Sequence, residues 1–230
     1  MSQEWCIPPS QNAAFVAQME DILDLYTQPL DPARPLVCFD ETSKQLVGEV
    51  RTPLPMIPGH PVCYDTAYER HGTANLFLFT APLLGWREIK VTEHRTRVDF
   101  AHVIRELVDV HFPEAERITL VLDNLNTHEP ASLYQAFEPA EAKRIWDKLD
   151  IHPTPQHGSW LNIAEIEFSV LGRQCLDQRI ADQATLSTEA ADWVAGRNAE
   201  GAAVDWRFTT ADARIKLSHL YPVPQPDKEN

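Results

Sequence analysis

Three acidic residues in this sequence lie where a folded chain could bring them together: Asp40, Asp123 and Glu165. Each aspartate directly follows a short apolar run, and the glutamate belongs to a later amphipathic segment. Carboxylate oxygens are the ligands that Mg²⁺ and Mn²⁺ prefer. Such a set can hold two ions about 4 Å apart, which activate water and stabilise the leaving oxygen when a phosphodiester is cut. The residue types therefore predict metal-dependent phosphodiester chemistry.

The second acid, Asp123, closes the apolar part of the stretch ITLVLDNLNTH, residues 118–128. Residues 118–122 form a nearly continuous apolar run, which is typical of a strand buried on both faces. Asn124 and the residues after it then supply turn chemistry. Open α/β sheets place their functional sites at the ends of such strands. Taken alone, Asp123 could instead only cap the turn.

The first acid, Asp40, ends a second apolar run, LVCF at residues 36–39, which predicts a short strand. Glu41 follows and points to the opposite face if the strand continues. We therefore expect Glu41 at most to support the metal ligands from behind. A phosphatase with an aspartate nucleophile would need a second Asp two residues after Asp40, where Thr42 stands, so that alternative is weak.

The third acid lies on a helix predicted for residues 160–176, which carries Glu165 and Glu167 about 200° apart. The apolar positions taken to mark the buried face are Leu161, Ala164, Phe168 and Leu171. On this pattern Glu165 faces the core and Glu167 faces solvent. An acid turned toward the core is costly unless it is paired or binds a metal, and this helix face offers no Lys or Arg. The alternative is that Glu165 reaches water at the edge of the apolar stripe.

The elements around these acids alternate between strands and helices, which predicts an α/β fold. Early strands separated only by loops indicate an antiparallel part, so we expect a mixed sheet. Further strands are predicted at 75–80, 86–91 and 151–154, and helices at 14–26, from Thr96, at 139–149, 188–198 and 210–220. The proline-rich residues 51–65 predict an extended loop or an interrupted hairpin.

Length and composition limit the remaining possibilities. A chain of 230 residues favours one domain, and a net charge of −14 argues against a protein that grips nucleic acid through bulk charge. We therefore expect the chain alone to bind DNA weakly, although a local basic groove or a partner domain stays open. The four cysteines form no CxxC pair, which favours reduced thiols over a zinc site. The sequence has no apolar run of about 18 residues, so we expect a cytoplasmic protein without membrane contact.

Three stretches carry a resemblance to a known family: FDETS at 39–43, VLDNLNTH at 121–128 and HGSWLNIAEIEFSVL at 157–171. Together they resemble the catalytic domain of DDE transposases, in the bacterial insertion-sequence branch related to mariner elements. Four more stretches extend the resemblance over nearly the whole chain: WCIPP at 5–9, PLPMIPGHP at 53–61, ERHGTANLFLF at 69–79 and DWRFTTADARIKLSHLYP at 205–222.

The resemblance implies an RNase H-like fold, with a mixed five-stranded sheet flanked by helices. It places Asp40 on the first strand, Asp123 on the fourth, and Glu165 on the next helix, in an Asn-x-x-Glu pattern that begins at Asn162. It implies that these acids are the catalytic residues and bind two Mg²⁺ or Mn²⁺ ions. It further implies cleavage at transposon ends, joining of the 3′-hydroxyl to DNA at a TA target, a homodimer, and a bacterial, nucleoid-associated location.

The chain departs from its relatives at the N-terminus, because full-length transposases of this type carry helix-turn-helix DNA-binding domains there. We expect residues 1–30 to be a linker and N-terminal helix, 31–222 the catalytic domain, and 223–230 a disordered tail. A DNA-binding domain or companion protein would then be supplied separately. The alternative is a transposase-derived remnant that binds DNA or a protein partner without catalysis.

Other polar residues near these motifs are candidates for DNA contact or for support of the metal ligands. They are Glu41, Asn124, His128, His157, Asn162, Arg95 and Arg97. For the two histidines, capping of a loop is the alternative. Arg87, Lys90 and the two arginines at 95 and 97 form the densest basic stretch, which suits phosphate contact or a solvated edge. Trp160 and Trp206 are interpreted as core residues.

Overall fold

The computed structural model describes residues 10–61, 63–125 and 127–223, and its centre is a five-stranded mixed sheet. The strands are β1 Leu36–Glu49, β2 Tyr68–Ala81, β3 Trp86–Thr92, β4 Ile118–Leu122 and β5 Leu149–Pro153. Their order is β3-β2-β1-β4-β5. The first three strands pair antiparallel, whereas β4 runs parallel to β1 and β5 runs parallel to β4. The prediction of an α/β fold with a mixed sheet flanked by helices is therefore confirmed.

Seven α-helices cover the two faces of the sheet within the described residues. They are α1 Ala13–Tyr26, α2 Arg97–Glu106, α3 Pro130–Ala136, α4 Pro139–Asp147, α5 Ile163–Leu171, α6 Gln183–Ala199 and α7 Thr210–Lys216. Helices α1, α5, α6 and α7 share one apolar cluster with Cys38 and Val121, and α2, α3 and α4 share the other with Val37 and Phe39. Neighbouring side chains on β1 and β4 point to opposite faces of the sheet, so each face forms its own apolar core.

Strand β1 is longer than the sequence predicted. We expected a strand that ended at Asp40, but β1 continues to Glu49 because antiparallel pairing with β2 supports it beyond the apolar run. Pairing between β1 and β4, in contrast, ends at Cys38 opposite Val121. Asp40 therefore lies inside a strand, at the point where the neighbouring strand β4 has just ended.

The connection from β4 to Glu165 differs from the prediction in two respects. The sequence predicted one helix at 139–149, whereas the structure has both α3 and α4, and Leu149 already begins β5. The predicted helix at 160–176 is divided: a 3₁₀ turn covers Ser159–Leu161, α5 follows, and a π turn covers Gly172–Leu176. Because of this division, the residues of α5 point in other directions than they would in one continuous helix.

The outer parts of the chain agree with the predictions more loosely. The segment 51–65 is an interrupted hairpin with isolated bridges between Leu54 and Cys63 and between Ile57 and His60. Helix α6 begins five residues before its predicted start. Helix α1 packs into the same core as the sheet, while residues 1–9 of the predicted linker and most of the predicted tail lie outside the described residues. No helix in the described ranges is long and apolar enough to cross a membrane.

Gly85, in the turn between β2 and β3, gives a first testable prediction. Its φ is +62°, and a Cβ added there would lie 2.7 Å from the carbonyl carbon and oxygen of Gly201. We expect Gly85→Ala to lower the free energy of unfolding by about 1–3 kcal/mol, measured by thermal unfolding. Gly196 lies within α6 with open space around it, so Gly196→Ala should raise stability by up to about 1 kcal/mol. Equal effects of the two substitutions would contradict this reading of the turn.

Candidate active site

The three predicted acids are carried by elements that meet at one edge of the sheet. Cys38 and Val121, the last paired residues of β1 and β4, both belong to the core on the α1 and α5 side. Asp40 follows Cys38 by two residues within β1, so side-chain alternation directs it to that same side, whereas Asp123 lies one residue beyond the end of β4. Helix α5 packs on this side and carries Glu165 in its first turn.

The start of α5 is tied directly to β1 by Asn162, which is the N-cap residue of the helix. Its side-chain oxygen accepts a hydrogen bond from the backbone N–H of Ala164 at 3.1 Å. Its side-chain nitrogen donates to the carbonyl oxygen of Phe39 at 2.8 Å. Phe39 is the residue before Asp40, so Asn162 couples the first and third acids through one buried amide. Support of the site, one of the two roles predicted for Asn162, stays a prediction.

The surroundings of Asp40 raise its pKa. Burial raises the pKa of Asp40 to about 7, and the negative charges of Glu165, Asp123 and Glu41 add to the rise. A hydrogen bond of 2.8 Å from the backbone N–H of Glu41 to the Asp40 Oδ1 opposes it in part. These contributions agree with the placement of the three acids at one edge of the sheet.

These acids provide a donor set that fits a hard divalent cation. All three supply carboxylate oxygens, which Mg²⁺ and Mn²⁺ prefer. Of the three, only Asp123 has an ion-pair partner among the described side chains, namely His128. Within the same residues, no three His, Cys, Asp or Glu side chains are placed as a complete metal site. Convergence of the three acids on a shared ion therefore stays a prediction.

His128 bridges two acids at this edge of the sheet. Its Nδ1 lies 2.6 Å from the Asp123 Oδ1, and its Nε2 lies 2.8 Å from the Glu41 Oε2. The side chains of His128 and Glu41 are each 2% exposed. Burial lowers the pKa of His128, but the hydrogen bonds to Asp123 and Glu41 outweigh it and raise the pKa to about 9. The ring therefore contacts Asp123 from inside the protein.

Glu41 lies on the opposite face of β1 from Asp40, as side-chain alternation predicted. It nevertheless reaches the site, because His128 connects it to Asp123. Sequence patterns gave no signal for this connection, since Glu41 and His128 are 87 residues apart. Arg95 lies beside the same carboxylate, with its Nε 3.9 Å from the Glu41 Oε1, and its side chain is largely exposed.

The basic stretch does not form one continuous surface. Arg87 is fully buried, which excludes the proposed phosphate contact for this residue. Lys90 pairs with Glu106 at 2.8 Å on the surface. Arg97 is partly buried at the first position of α2, so Arg95 is the most accessible arginine near the acids. A contact of Arg95 or Arg97 with DNA stays a prediction.

Asn124 and His157 line an open pocket of about 370 Å³ next to Asp123. Both residues are exposed. His157 has a φ of +64°, which a residue with a Cβ rarely adopts. The next residue, Gly158, packs so closely on Pro155 that an added Cβ would lie 2.5 Å from its Cγ. The tight turn therefore presents the imidazole of His157 at the rim of this pocket, where a DNA contact remains a prediction.

Glu167 is buried, which contradicts the prediction that it faces solvent. Its side chain is 2% exposed, and its Oε1 lies 3.1 Å from the Arg87 Nη2 and 3.5 Å from the Arg197 Nη2. Glu165, in contrast, is only partly buried. The helical phase was wrong because Leu161 belongs to the preceding 3₁₀ turn, whereas the buried face of α5 comprises Ile163, Ala164, Glu167 and Leu171. The cationic partners come from β3 and α6, and not from the helix itself.

The two tryptophans interpreted as core residues pack against the apolar cluster on the α1 and α5 side. Trp206 has its ring centroid 5.0 Å from that of Tyr26 and donates its indole N–H to the carbonyl of Phe208 at 2.8 Å. Trp160 packs against Phe208 with ring centroids 6.0 Å apart. Both rings are partly buried, which agrees with the core interpretation.

Replacement of Asp40 by Asn is expected to stabilise the folded chain in the presence of a chelator. The pKa of Asp40 is raised from 3.8 to about 7, so the folded state loses stability as pH rises from about 4 to about 7. The amide avoids this loss, and its advantage should reach about 1–3 kcal/mol at pH 8 but be smaller at pH 5. Thermal unfolding at the two pH values measures it, with Asp205→Asn on the exposed surface as control. An equal gain at both values would contradict the proposed cause.

Comparison with known proteins gives one family match. The model of a family described as DDE superfamily endonuclease matches residues 35–187, which is more than half of the chain. The matched segment includes all three acids. No curated protein matches the chain in a sequence search.

Solved structures similar to this chain include several of the Mos1 transposase. The Mos1 paired-end complex with left transposon end gives a TM-score of 0.56 at 16% identity, covering 88% of this chain and 62% of that chain. The Mos1 mariner paired end complex with Mn gives 0.56 at 18% identity, with the same coverage of 88% and 62%. The catalytic domain of Mos1 mariner transposase gives 0.54 at 13% identity, covering 85% and 90%. The chain thus spans about 62% of the two longer Mos1 chains and has the RNase H-like fold of the catalytic domain.

Proposed function

The chain belongs to the DDE superfamily of endonucleases, and from this membership we propose that it is the catalytic domain of a DNA transposase. In this proposal it cuts DNA at the ends of a mobile element and joins the freed 3′-hydroxyl to target DNA. The observation that carries the proposal is the position of Asp40, Asp123 and Glu165. They come from β1, the end of β4 and the start of α5, and the charges of the other two raise the pKa of Asp40.

In the proposed site these three carboxylates hold two Mg²⁺ or Mn²⁺ ions. When bound, such ions supply the Lewis acidity that activates a water molecule and stabilises the leaving oxygen of a phosphodiester. Two of the similar Mos1 structures are described as complexes with Mn and with Mg, which supports this choice of ion. The raised pKa of Asp40 supports it as well, because a cation would relieve the repulsion that causes part of the rise.

The residues around the acids would hold these carboxylates ready for the ions. Asn162 fixes the start of α5 on β1 and so sets the approach of Glu165 to Asp40. His128 binds one oxygen of Asp123 from the protein interior. Asn124 and His157 line the open pocket beside Asp123, and the exposed Arg95 lies beside Glu41; in this proposal these residues donate to phosphate oxygens of a DNA strand.

We propose that the DNA substrate is the transposon end, that the target is a TA dinucleotide and that the working unit is a homodimer near the bacterial nucleoid. Similar structures are described as Mos1 complexes with a transposon end and as a strand transfer complex, which supports a DNA substrate. The net charge of −14 makes strong binding through bulk charge unfavourable. A separate helix-turn-helix domain or companion protein would therefore deliver the DNA end.

A cleavage assay tests the proposal. The chain is fused to a helix-turn-helix domain, and DNA bearing that domain's binding site next to a candidate end is supplied with Mg²⁺ or Mn²⁺. We expect strand cleavage that requires the divalent ion and stops on addition of a chelator. DNA that is bound but never cut with either ion would contradict the proposal and favour the remnant, which binds DNA or a partner without catalysis.

A further inference from the structure

We propose that His128 is a positioning residue for Asp123, that Glu41 holds His128 in place, and that this relay sets the affinity of the site for a divalent cation. The inference rests on the proposed function, because it concerns the same three carboxylates. It adds two residues, His128 and Glu41, that would act through Asp123 and would not touch the ion.

In this chain of contacts Glu41 and His128 are buried, whereas Asp123 is partly exposed. The Glu41 Oε2 is 2.8 Å from the His128 Nε2, and the His128 Nδ1 is 2.6 Å from the Asp123 Oδ1. Both Glu41 and His128 are 2% exposed, whereas the side chain of Asp123 is 37% exposed. The relay therefore uses one Asp123 oxygen from inside the protein, and the second oxygen is available at the accessible side of the site.

The backbone holds the Asp123 carboxylate only by one long contact, from the Leu125 N–H to Oδ1 at 3.4 Å, while the Asp123 carbonyl oxygen lies 3.2 Å from the His128 Nδ1. Strand β4 ends at Leu122, so Asp123 lies beyond the last ladder pair and begins a turn. The His128 ring replaces that missing restraint, because it packs against Phe39 at 5.2 Å and Phe100 at 4.8 Å between centroids. A ring held by contacts with two aromatic rings and by an acid at each nitrogen has little freedom to rotate. Asp123 consequently keeps one side-chain direction.

Glu41 explains why the ring stays in this position. A buried carboxylate requires a partner, and the His128 Nε2 lies within hydrogen-bond distance of Glu41. The second ring nitrogen is thereby directed at Asp123. Partners that orient a metal ligand from behind typically change metal affinity by about 10–100-fold when they are removed. We expect an effect of this size when the bond between His128 and Asp123 is lost.

Two amide substitutions of His128 separate the contact made by Nδ1 from the contact made by Nε2. In His128→Asn the side-chain nitrogen can occupy the place of Nδ1 and keep the contact with Asp123. In His128→Gln the nitrogen reaches the place of Nε2 and keeps the contact with Glu41 instead. Mn²⁺ binding to the 230-residue chain is measured by isothermal titration calorimetry without DNA. We expect His128→Gln to weaken Mn²⁺ binding by about 10-fold or more, and His128→Asn, which keeps the contact with Asp123 but loses the contact with Glu41, to weaken it by less.

Additional measurements distinguish positioning from a general structural effect. Thermal unfolding is recorded for both variants, and His128→Asn should be the less stable of the two, because it leaves the buried carboxylate of Glu41 without its histidine partner. Excess Mn²⁺ should restore cleavage by the His128→Gln fusion protein, since the reacting groups remain. Glu41→Gln, which weakens the hold on the ring, should also lower Mn²⁺ affinity. If Glu41→Gln kept the Mn²⁺ affinity of the parent, the proposed role of Glu41 in holding His128 would be wrong.

The outcomes separate this inference from the proposed function. If the parent chain binds Mn²⁺ and both His128 variants bind it equally well, the positioning role is wrong and the proposed metal site stands. If the parent chain binds no Mn²⁺ and Asp40→Asn behaves identically, the metal site itself is wrong, and the role of His128 falls with it. A loss of affinity that follows loss of folding in both variants would also contradict the positioning role.

Discussion

Glu165→Gln is expected to lower the rate of DNA strand cleavage by about 1,000-fold or more, with the DNA-binding domain supplied. That factor corresponds to about 4 kcal/mol of lost transition-state stabilisation, which is reasonable for removal of a charged metal ligand. Glu165 lies in the first turn of α5, and its charge contributes to the raised pKa of Asp40. Among the acids of α5 it is the one accessible to a cation, because Glu167 is buried against arginines.

The control for this prediction is Glu200→Gln, a change of the same type on the exposed surface. It should cut DNA at the parental rate. Glu165 is partly buried, so Glu165→Gln should keep the melting temperature of the parent within a few degrees. A folded Glu165→Gln protein that cuts DNA normally would show that the site does not use an acid from this helix. Single-turnover cleavage measured at saturating Mn²⁺ separates a lost ligand from weakened binding of the ion.

Glu167→Ala is expected to lower the free energy of unfolding by about 3–5 kcal/mol, because it leaves a buried arginine without its counter-ion. Arg87 is fully buried and has Glu167 as its carboxylate partner, while its other contacts are the carbonyl oxygens of Gly85, Arg197 and Ala202. For a chain of this size the melting temperature should fall by about 10 °C. Thermal or urea unfolding gives the measurement.

Two further variants test the cause of this loss. Glu167→Gln keeps an oxygen that can accept from Arg87 but removes the charge, so its destabilisation should be intermediate. Glu165→Gln lies two residues away and should leave stability nearly unchanged. At a temperature where the Glu167→Ala protein is still folded, its cleavage rate should stay within about tenfold of the parent, since Glu167 does not reach Asp40 or Asp123. A stable Glu167→Ala protein would mean that this buried pair contributes nothing to folding.

The sequence by itself determined the elements whose signals are local. The run at 118–122 is β4, the capping box formed by Thr96 and Asp99 begins α2, and Pro139 begins α4. These features depend on residues within a few positions of one another, so propensity and capping are sufficient to predict them. The three acidic motifs also lie within short stretches, and their resemblance to a known family agreed with the family match. The mixed sheet followed from the order of its elements.

The tertiary structure decided which residues become partners. The length of β1 depends on its pairing with β2, and the burial of Glu167 depends on Arg87, which is 80 residues away. The bridge from Glu41 through His128 to Asp123 likewise joins residues that no short window contains. A local pattern shows that a charged residue needs a partner when it is buried, but not whether the fold supplies one. That depends on which strands and helices lie side by side, because ion pairs and hydrogen bonds act only over a few ångströms.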